Sequence, residues 1–411
     1  MRELKTFSTL IGSGFLSQAL MFLGTLMLSR LYGPTSFGEL GYYAGFASIV
    51  AVVSGLRFDY IVFSRSDFEK LTFFAIALVC AGCMHLLIFL VLIGADATGF
   101  DSYKTSYWLL FFAFSTSLFY LGTQLLISIS EYTGFARIRL LQAILQIAIG
   151  LLLFRLHPKF GLFLAYSLSQ MVVGFFVFFC YGRSVLATNK AQLANCWRSC
   201  SRGASFNSLL VLMQYSTPFA PVLLGSLYFS GEEVGAYFLF SSAFAAPLSI
   251  YRRSAVHFLN GEVGSPMRAQ MFAAVIKKRM PVVVAVLLVL TVLGSLVFLL
   301  AAREVATLIF GVSWATHSYL LLPIFLFYFF DAVFQPFTTL LPLWGRQAIA
   351  MKYEALRFVS VFFLLPIITV GFSFNFYCAI ISYFLVMSIV YIANFCTVCH
   401  WAFRMDLQNL T

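Results

Sequence analysis

Residues 30–43 read RLYGPTSFGELGYY, and they interrupt an otherwise apolar run from Phe7 to Leu56. Proline lacks a backbone N–H and glycine adds no apolar surface, so Gly33-Pro34 ends one helix and starts another. The run is two membrane-length helices joined by a tight turn. The rest of the chain follows the same plan. Of 411 residues, 61% are hydrophobic, 18% aromatic and only 10% charged, the composition of a polytopic membrane protein.

Crossing a ~30 Å hydrocarbon core takes about 20 apolar residues in helical form. Twelve segments of that kind can be drawn, at 6–29, 38–56, 71–94, 106–127, 138–156, 160–180, 204–226, 234–251, 281–301, 317–343, 353–371 and 376–402. The longest polar stretches, 181–203 and 252–280, have no apolar periodicity of their own, so the working parts are expected inside the membrane. Arg2 and Lys5 precede an apolar run too long for a cleavable leader, and no small-x-small site follows it.

The loop cations set an expected orientation. With the amino terminus inside, the outer loops hold only Arg30, Lys104, Arg155, Lys159 and Arg303 of the 26 lysines and arginines. Both termini are then expected in the cytoplasm. The same bias accounts for the net charge of +11 without any nucleic acid.

The cysteines offer a haem-like match, Cys396-x-x-Cys399-His400, and half a metal site at Cys80, Cys83 and His85. Haem attachment is extracytoplasmic, whereas this topology puts Cys399 and His400 at the inner end of the last helix. These cysteines read as small apolar side chains in helices, and no metal is expected.

The opening stretch has an echo. Residues 227–237 read LYFSGEEVGAY against LYGPTSFGELGY at 31–42, with Gly38 and Gly235 read as opening the next helix. Arg57 stands near the far end of the first copy, and Arg252 and Arg253 near that of the second. A repeat of six helices relates its halves by an axis along the membrane normal. The expected fold is therefore an all-α polytopic membrane protein of about 12 transmembrane helices. They form two six-helix lobes, 1–200 (with 181–203 as linker) and 201–411, related by a pseudo-twofold axis. That duplication suits a transporter working by alternating access.

Polar residues within spans are costly unless they face a cavity or a partner. Arg139, Gln142 and Gln146 share one helix face. Gln18 lies in the first span, Asn207 and Gln214 in the seventh, and Asp331 with Gln335 in the tenth. Glu354 and Arg357 sit at i and i+3 and can neutralise each other. Arg30, Arg57, Arg139, Arg252, Arg253 and Arg357 lie at or within helix ends, opposed only by Glu39, Asp59, Asp331 and Glu354. That excess of guanidinium favours an anion, and its fork suits phosphate. No protease, hydrolase or Walker A pattern occurs, so neither covalent catalysis nor ATP hydrolysis is expected of this chain.

The run RLYGP-x-x-FG followed by Leu56-Arg57-Phe58-Asp59, ARIRLLQAILQIAIGLLL at 136–153, VLLGSLYFSGEEVGAYFLFSSAFAAPLSI at 222–250 and LIFGVSWATHSYLLLPIFLFYFF at 308–330 resemble the polysaccharide flippases. These are the O-antigen type of translocase often called Wzx. That family sits in a superfamily with lipid II flippases and multidrug exporters. The resemblance implies a bacterial inner-membrane protein that moves an undecaprenyl-pyrophosphate-linked oligosaccharide repeat unit from the cytoplasmic to the periplasmic leaflet. It implies no cofactor. Membrane lipids, a polysaccharide polymerase and a chain-length regulator are the partners it suggests. Related flippases hold pyrophosphate with arginines, which points to Arg30 and Arg57 here and to Arg252 or Arg253 as their repeat mates. Leu-Arg-Phe-Asp replaces the Leu-Arg-Tyr-Glu of many relatives, leaving the Arg-acid pair intact. A multidrug or organic-cation antiporter of the same superfamily is the alternative, with Asp59 or Glu39 as its carboxylate. A membrane polymerase or ligase would want a large outer loop, and these are short.

Overall fold

The computed structural model describes residues 2–58, 67–97, 104–157, 160–186, 190–263 and 272–408. Within them the chain is helices joined by short turns, because a backbone crossing hydrocarbon must satisfy its own hydrogen bonds. Twelve long helices follow one another. They are α1 (Arg2–Ser29), α2 (Pro34–Ser54), α3 (Asp67–Ala97), α4 (Lys104–Ser128), α5 (Tyr132–Leu156) and α6 (Gly161–Leu186). Then come α7 (Lys190–Tyr228), α8 (Gly231–Val263) and α9 (Phe272–Ile309), then α10 (Val312–Leu343) and α11 (Gln347–Gly371), and finally α12 (Phe376–Gln408). The expectation of about twelve membrane helices in an all-α protein holds.

Two compact units divide the chain, Met1–Phe219 and Ala220–Thr411. The division falls inside α7, which runs unbroken from Lys190. Most of the stretch read from sequence as a linker, 181–203, is helix instead. Its described residues are the polar end of α6, to Leu186, and the polar start of α7, from Lys190.

The helix starts also differ from expectation. Helix α2 begins at Pro34 with Gly33 at its N-cap, not at Gly38, since proline at the first position loses no intrahelical bond. Helix α8 begins at Gly231, not at Gly235. Ser230 and Glu233 there form a reciprocal cap, with the Glu233 N–H donating to Ser230 Oγ at 3.3 Å and the Ser230 N–H to Glu233 Oε2 at 3.3 Å. This is a capping box.

In the first unit, α2 lies against α4, α1 against α5, and α6 against both α4 and α5. Close approach of α1 and α5 depends on Gly150, where a Cβ would sit 2.9 Å from Leu28 Cδ2. The Tyr32 hydroxyl, just past α1, donates to the Gly150 carbonyl at 2.7 Å. Burial pushes that hydroxyl's pKa up to about 12, so it remains a donor. The turn quoted at the outset is thus stapled to the middle of the chain by its tyrosine.

In the second unit α10 is the hub, touching α8, α9 and α12. It is not a uniform helix. Val312–Leu320 and Gln335–Thr339 are 3-10 turns, the second containing Pro336, where a missing N–H disrupts the α pattern. Its end is closed by Gly345 at φ 76°, with the Arg346 N–H donating back to the Leu341 carbonyl at 2.8 Å, the left-handed cap that glycine favours. Helix α11 carries a π segment at Ser360–Leu364. Pro366 lies two residues beyond it, and the widened turn relieves the clash between its ring and the preceding carbonyls.

Candidate functional site

Each unit holds its own cluster of buried polar groups. In the first unit the centre is Arg57. Helix α2 ends at Ser54 and is capped by Gly55, after which Leu56 and Arg57 take φ values of 46° and 59°. A left-handed residue with a side chain costs about 1–2 kcal/mol. Ser130 and Ser373 adopt this conformation singly at helix ends, each followed by a closing bond to the carbonyl five residues back, Glu131 to Leu126 and Phe374 to Thr369. Two bulky residues in succession are different. The surroundings hold them there: Phe58 is fully buried among Phe73, Phe74, Leu121 and Leu125, and it stacks on Trp197 at 5.3 Å.

The conformation turns the Arg57 guanidinium inward. Arg57 is 8% exposed, and its Nη1 donates to the Tyr120 hydroxyl of α4 at 2.8 Å. Arg30 and Glu39, at the other end of the same helical pair, are exposed. Asp59, the acid of the Leu-Arg-Phe-Asp motif, lies outside the described residues. Gln18 on α1 is half-buried.

Helix α5 contributes a second polar patch. Gln142 and Gln146 are both buried, the Gln142 amide donating to Gln146 Oε1 at 2.9 Å. Arg139, one turn earlier on that face, is exposed and rests against the Phe119 and Phe135 rings at 5.4 and 5.5 Å. Sequence reasoning passed over Gln170 of α6, which is buried and accepts from the Thr116 hydroxyl at 2.7 Å. His85 has both ring nitrogens engaged, Nδ1 against the Ala81 carbonyl at 2.7 Å and Nε2 against the Ser117 hydroxyl at 3.3 Å. A carbonyl accepts only, so Nδ1 carries the proton and Ser117 donates to Nε2. No group of three or more metal-ligating side chains occurs among the described residues.

The second unit gathers four of the residues singled out from sequence. Arg252 of α8 donates through Nη1 to Asp331 Oδ2 of α10 at 2.5 Å. Arg357 of α11 pairs through Nη2 with Glu354 Oε2 at 2.6 Å, and its Nη1 reaches the Tyr391 hydroxyl of α12 at 3.4 Å. Arg357 and Tyr391 both lie within electrostatic reach of Asp331, so four helices converge on one polar knot. Asp331, Glu354 and Arg357 are all at least nine-tenths buried. Two guanidinium groups face two carboxylates. The knot is neutral, and the excess of positive charge read from sequence is not found there. Tyr391 and the buried Asn394 one turn on were missed, because a tyrosine in an aromatic-rich span carries no distinguishing signal.

Gln214 of α7 is half-buried. The side chains of Asn207 on α7 and Arg253 on α8 lie outside what the structure describes.

These arrangements hold charge in a low-dielectric interior, and nothing in them resembles a nucleophile with its base. No family model matches the chain, and no curated protein does. Solved structures do match over nearly the whole length. A lipid II flippase MurJ in an inward closed conformation aligns with TM-score 0.70 at 10% identity, over 97% of this chain and 90% of that one. An inward-facing multidrug resistance MATE transporter of the MOP superfamily aligns with TM-score 0.63 at 13% identity, over 95% of both chains. A MOP-superfamily transporter from Pyrococcus furiosus, described as having a binding pocket of reversed polarity, aligns with TM-score 0.54 at 13% identity, over 98% and 95%. The chain has the fold of the MOP-superfamily transporters.

Proposed function

We propose that this chain is an alternating-access membrane transporter, and that its cargo is an undecaprenyl-pyrophosphate-linked oligosaccharide carried from the cytoplasmic to the periplasmic leaflet of a bacterial inner membrane. The observation that carries the substrate reading is Arg57, a buried guanidinium kept in place by two consecutive left-handed residues. Strain of that kind persists where the surroundings over-determine it, commonly at a working site. An inward guanidinium offers a two-pronged contact to a phosphate oxygen pair. Sugar hydroxyls cannot cross bare hydrocarbon, since each unpaired one costs several kcal/mol. The buried amides of Gln142, Gln146 and Gln170 supply partners of the type those hydroxyls need. Both termini would face the cytoplasm, as the loop cations suggest, and the resemblance adds a polymerase and a chain-length regulator as partners.

A second reading has specific support. MATE transporters recur among the matching solved structures, and on that count the comparisons favour a multidrug or organic-cation antiporter. The neutral knot in the second unit supports it too, because Asp331 and Glu354 remove the arginine excess that argued for an anion. One experiment separates the two. Deleting the gene should leave polyprenyl-linked oligosaccharides accumulating inside the cell and the surface polysaccharide lost, with susceptibility to cationic dyes unchanged. Normal polysaccharide with raised dye susceptibility would install the antiporter instead.

A further inference from the structure

The two units repeat one contact with different chemistry. A six-helix repeat puts α8 in the place of α2 and α10 in that of α4, and in each unit these two helices pack against one another. Arg57 stands just past the end of α2, and Arg252 lies toward the far end of α8. Each guanidinium reaches through Nη1 to the second helix of its pair. Arg57 donates to the Tyr120 hydroxyl of α4 at 2.8 Å, and Arg252 to Asp331 Oδ2 of α10 at 2.5 Å. The contact is shared and the charge of the partner is not.

That difference decides what each arginine offers a ligand. A carboxylate against a guanidinium cancels its charge, so the Arg252–Asp331 pair is neutral as a whole. A tyrosine hydroxyl is ordinarily uncharged at pH 7. It accepts an N–H and orients the guanidinium without cancelling anything. Arg57 is 8% exposed, and in an interior of low dielectric the sign of a neighbouring group acts more strongly than in water. Tyr120 is itself half-buried and packs against the Phe58, Phe73 and Phe74 cluster. The same cluster therefore holds the hydroxyl and the strained backbone that carries the arginine.

We propose that Tyr120 is a positioning residue that sets the charge of the Arg57 site. It aims the guanidinium while keeping the site cationic, whereas Asp331, in the corresponding place, neutralises the arginine of the second unit. The proposal rests on the flippase reading above and deepens it. It names the residue that assigns the cargo's pyrophosphate to the first unit rather than the second.

The test compares two variants of nearly equal size that differ in charge, Tyr120→Asn and Tyr120→Asp. Both are made in the full-length protein in detergent micelles, with a fluorescent polyprenyl pyrophosphate as the probe and thermal unfolding recorded alongside. Tyr120→Asp is expected to bind the probe at least tenfold more weakly than Tyr120→Asn. It should unfold at the same temperature or higher, since the new ion pair holds the fold. Uncharged polyprenol should bind the parent and both variants alike. Equal affinity of the two variants for the pyrophosphate would overturn the proposal, because the charge of the partner would then not matter. A parallel loss of polyprenol binding would overturn it too, marking Tyr120 as packing alone. If Tyr120→Asp does not fold, Tyr120→Glu against Tyr120→Gln makes the same comparison with one more methylene of reach. The parent protein separates the two levels of the argument. Saturable binding of polyprenyl pyrophosphate by the parent keeps the flippase reading whatever the variants do, and its absence would overturn that reading and this proposal together.

Discussion

Arg252 and Asp331, 79 residues apart in sequence, meet at 2.5 Å on facing helices of the second unit. Asp331 is 3% exposed, so the pair is largely withdrawn from water and each member depends on the other. Breaking such a pair leaves an uncompensated buried charge, at about 3–5 kcal/mol. Arg252 keeps a side-chain exposure of 23%, which puts the expected cost of Asp331→Ala at the lower end. Replacing both residues by leucine should cost less than the two single changes added together. Unfolding by SDS in mixed micelles would show this as a coupling of about 1 kcal/mol or more; strict additivity would mean that the pair does not hold the knot together.

Arg57 should behave in the opposite way. Arg57→Gly removes a left-handed strain worth about 1 kcal/mol but also the guanidinium. Transport should fall at least as far as in Arg57→Ala, while stability in micelles stays level or rises. Arg57→Lys should retain part of the transport, since it keeps the charge without the fork. Equal loss of stability and transport in the glycine and alanine variants would make Arg57 a structural residue.

The turn at residues 30–43 is tied down by Tyr32, whose hydroxyl bonds the Gly150 carbonyl. Tyr32→Phe should destabilise by about 1 kcal/mol, the usual net worth of one hydrogen bond. Gly161→Ala should do more, because its Cβ would press on the Tyr32 hydroxyl and come within 3.1 Å of the Leu153 backbone, an overpacking cost of about 1–3 kcal/mol. Thermal aggregation of the purified variants ranks them; a Gly161→Ala protein as stable as the parent would show that the loop yields.

What the sequence makes legible is local. Apolar runs of membrane length mark the helices, Gly33-Pro34 marks the turn, and Glu354 with Arg357 at i and i+3 form the pair that the spacing allows, at 2.6 Å. Long-range partners carry no such signature. Arg57 finds Tyr120 across 63 residues, and Arg252 finds Asp331 only because α8 and α10 pack together. The left-handed backbone at Leu56 and Arg57 was invisible because no glycine announces it. The helix starts at Pro34 and Gly231 were misplaced for a simpler reason. Polar residues at the head of a helix look like loop until the cap is seen.

Translocation in a purified system tests the cargo directly. The protein is reconstituted into vesicles with a fluorescent polyprenyl-pyrophosphate-linked oligosaccharide, and the fraction of glycan open to an external glycosidase is followed in time. Exposure should be faster than in protein-free vesicles, lost with Arg57→Ala and kept when a cationic dye is added in excess. Exposure no faster than in protein-free vesicles, alongside dye movement driven by a proton or sodium gradient, would contradict it.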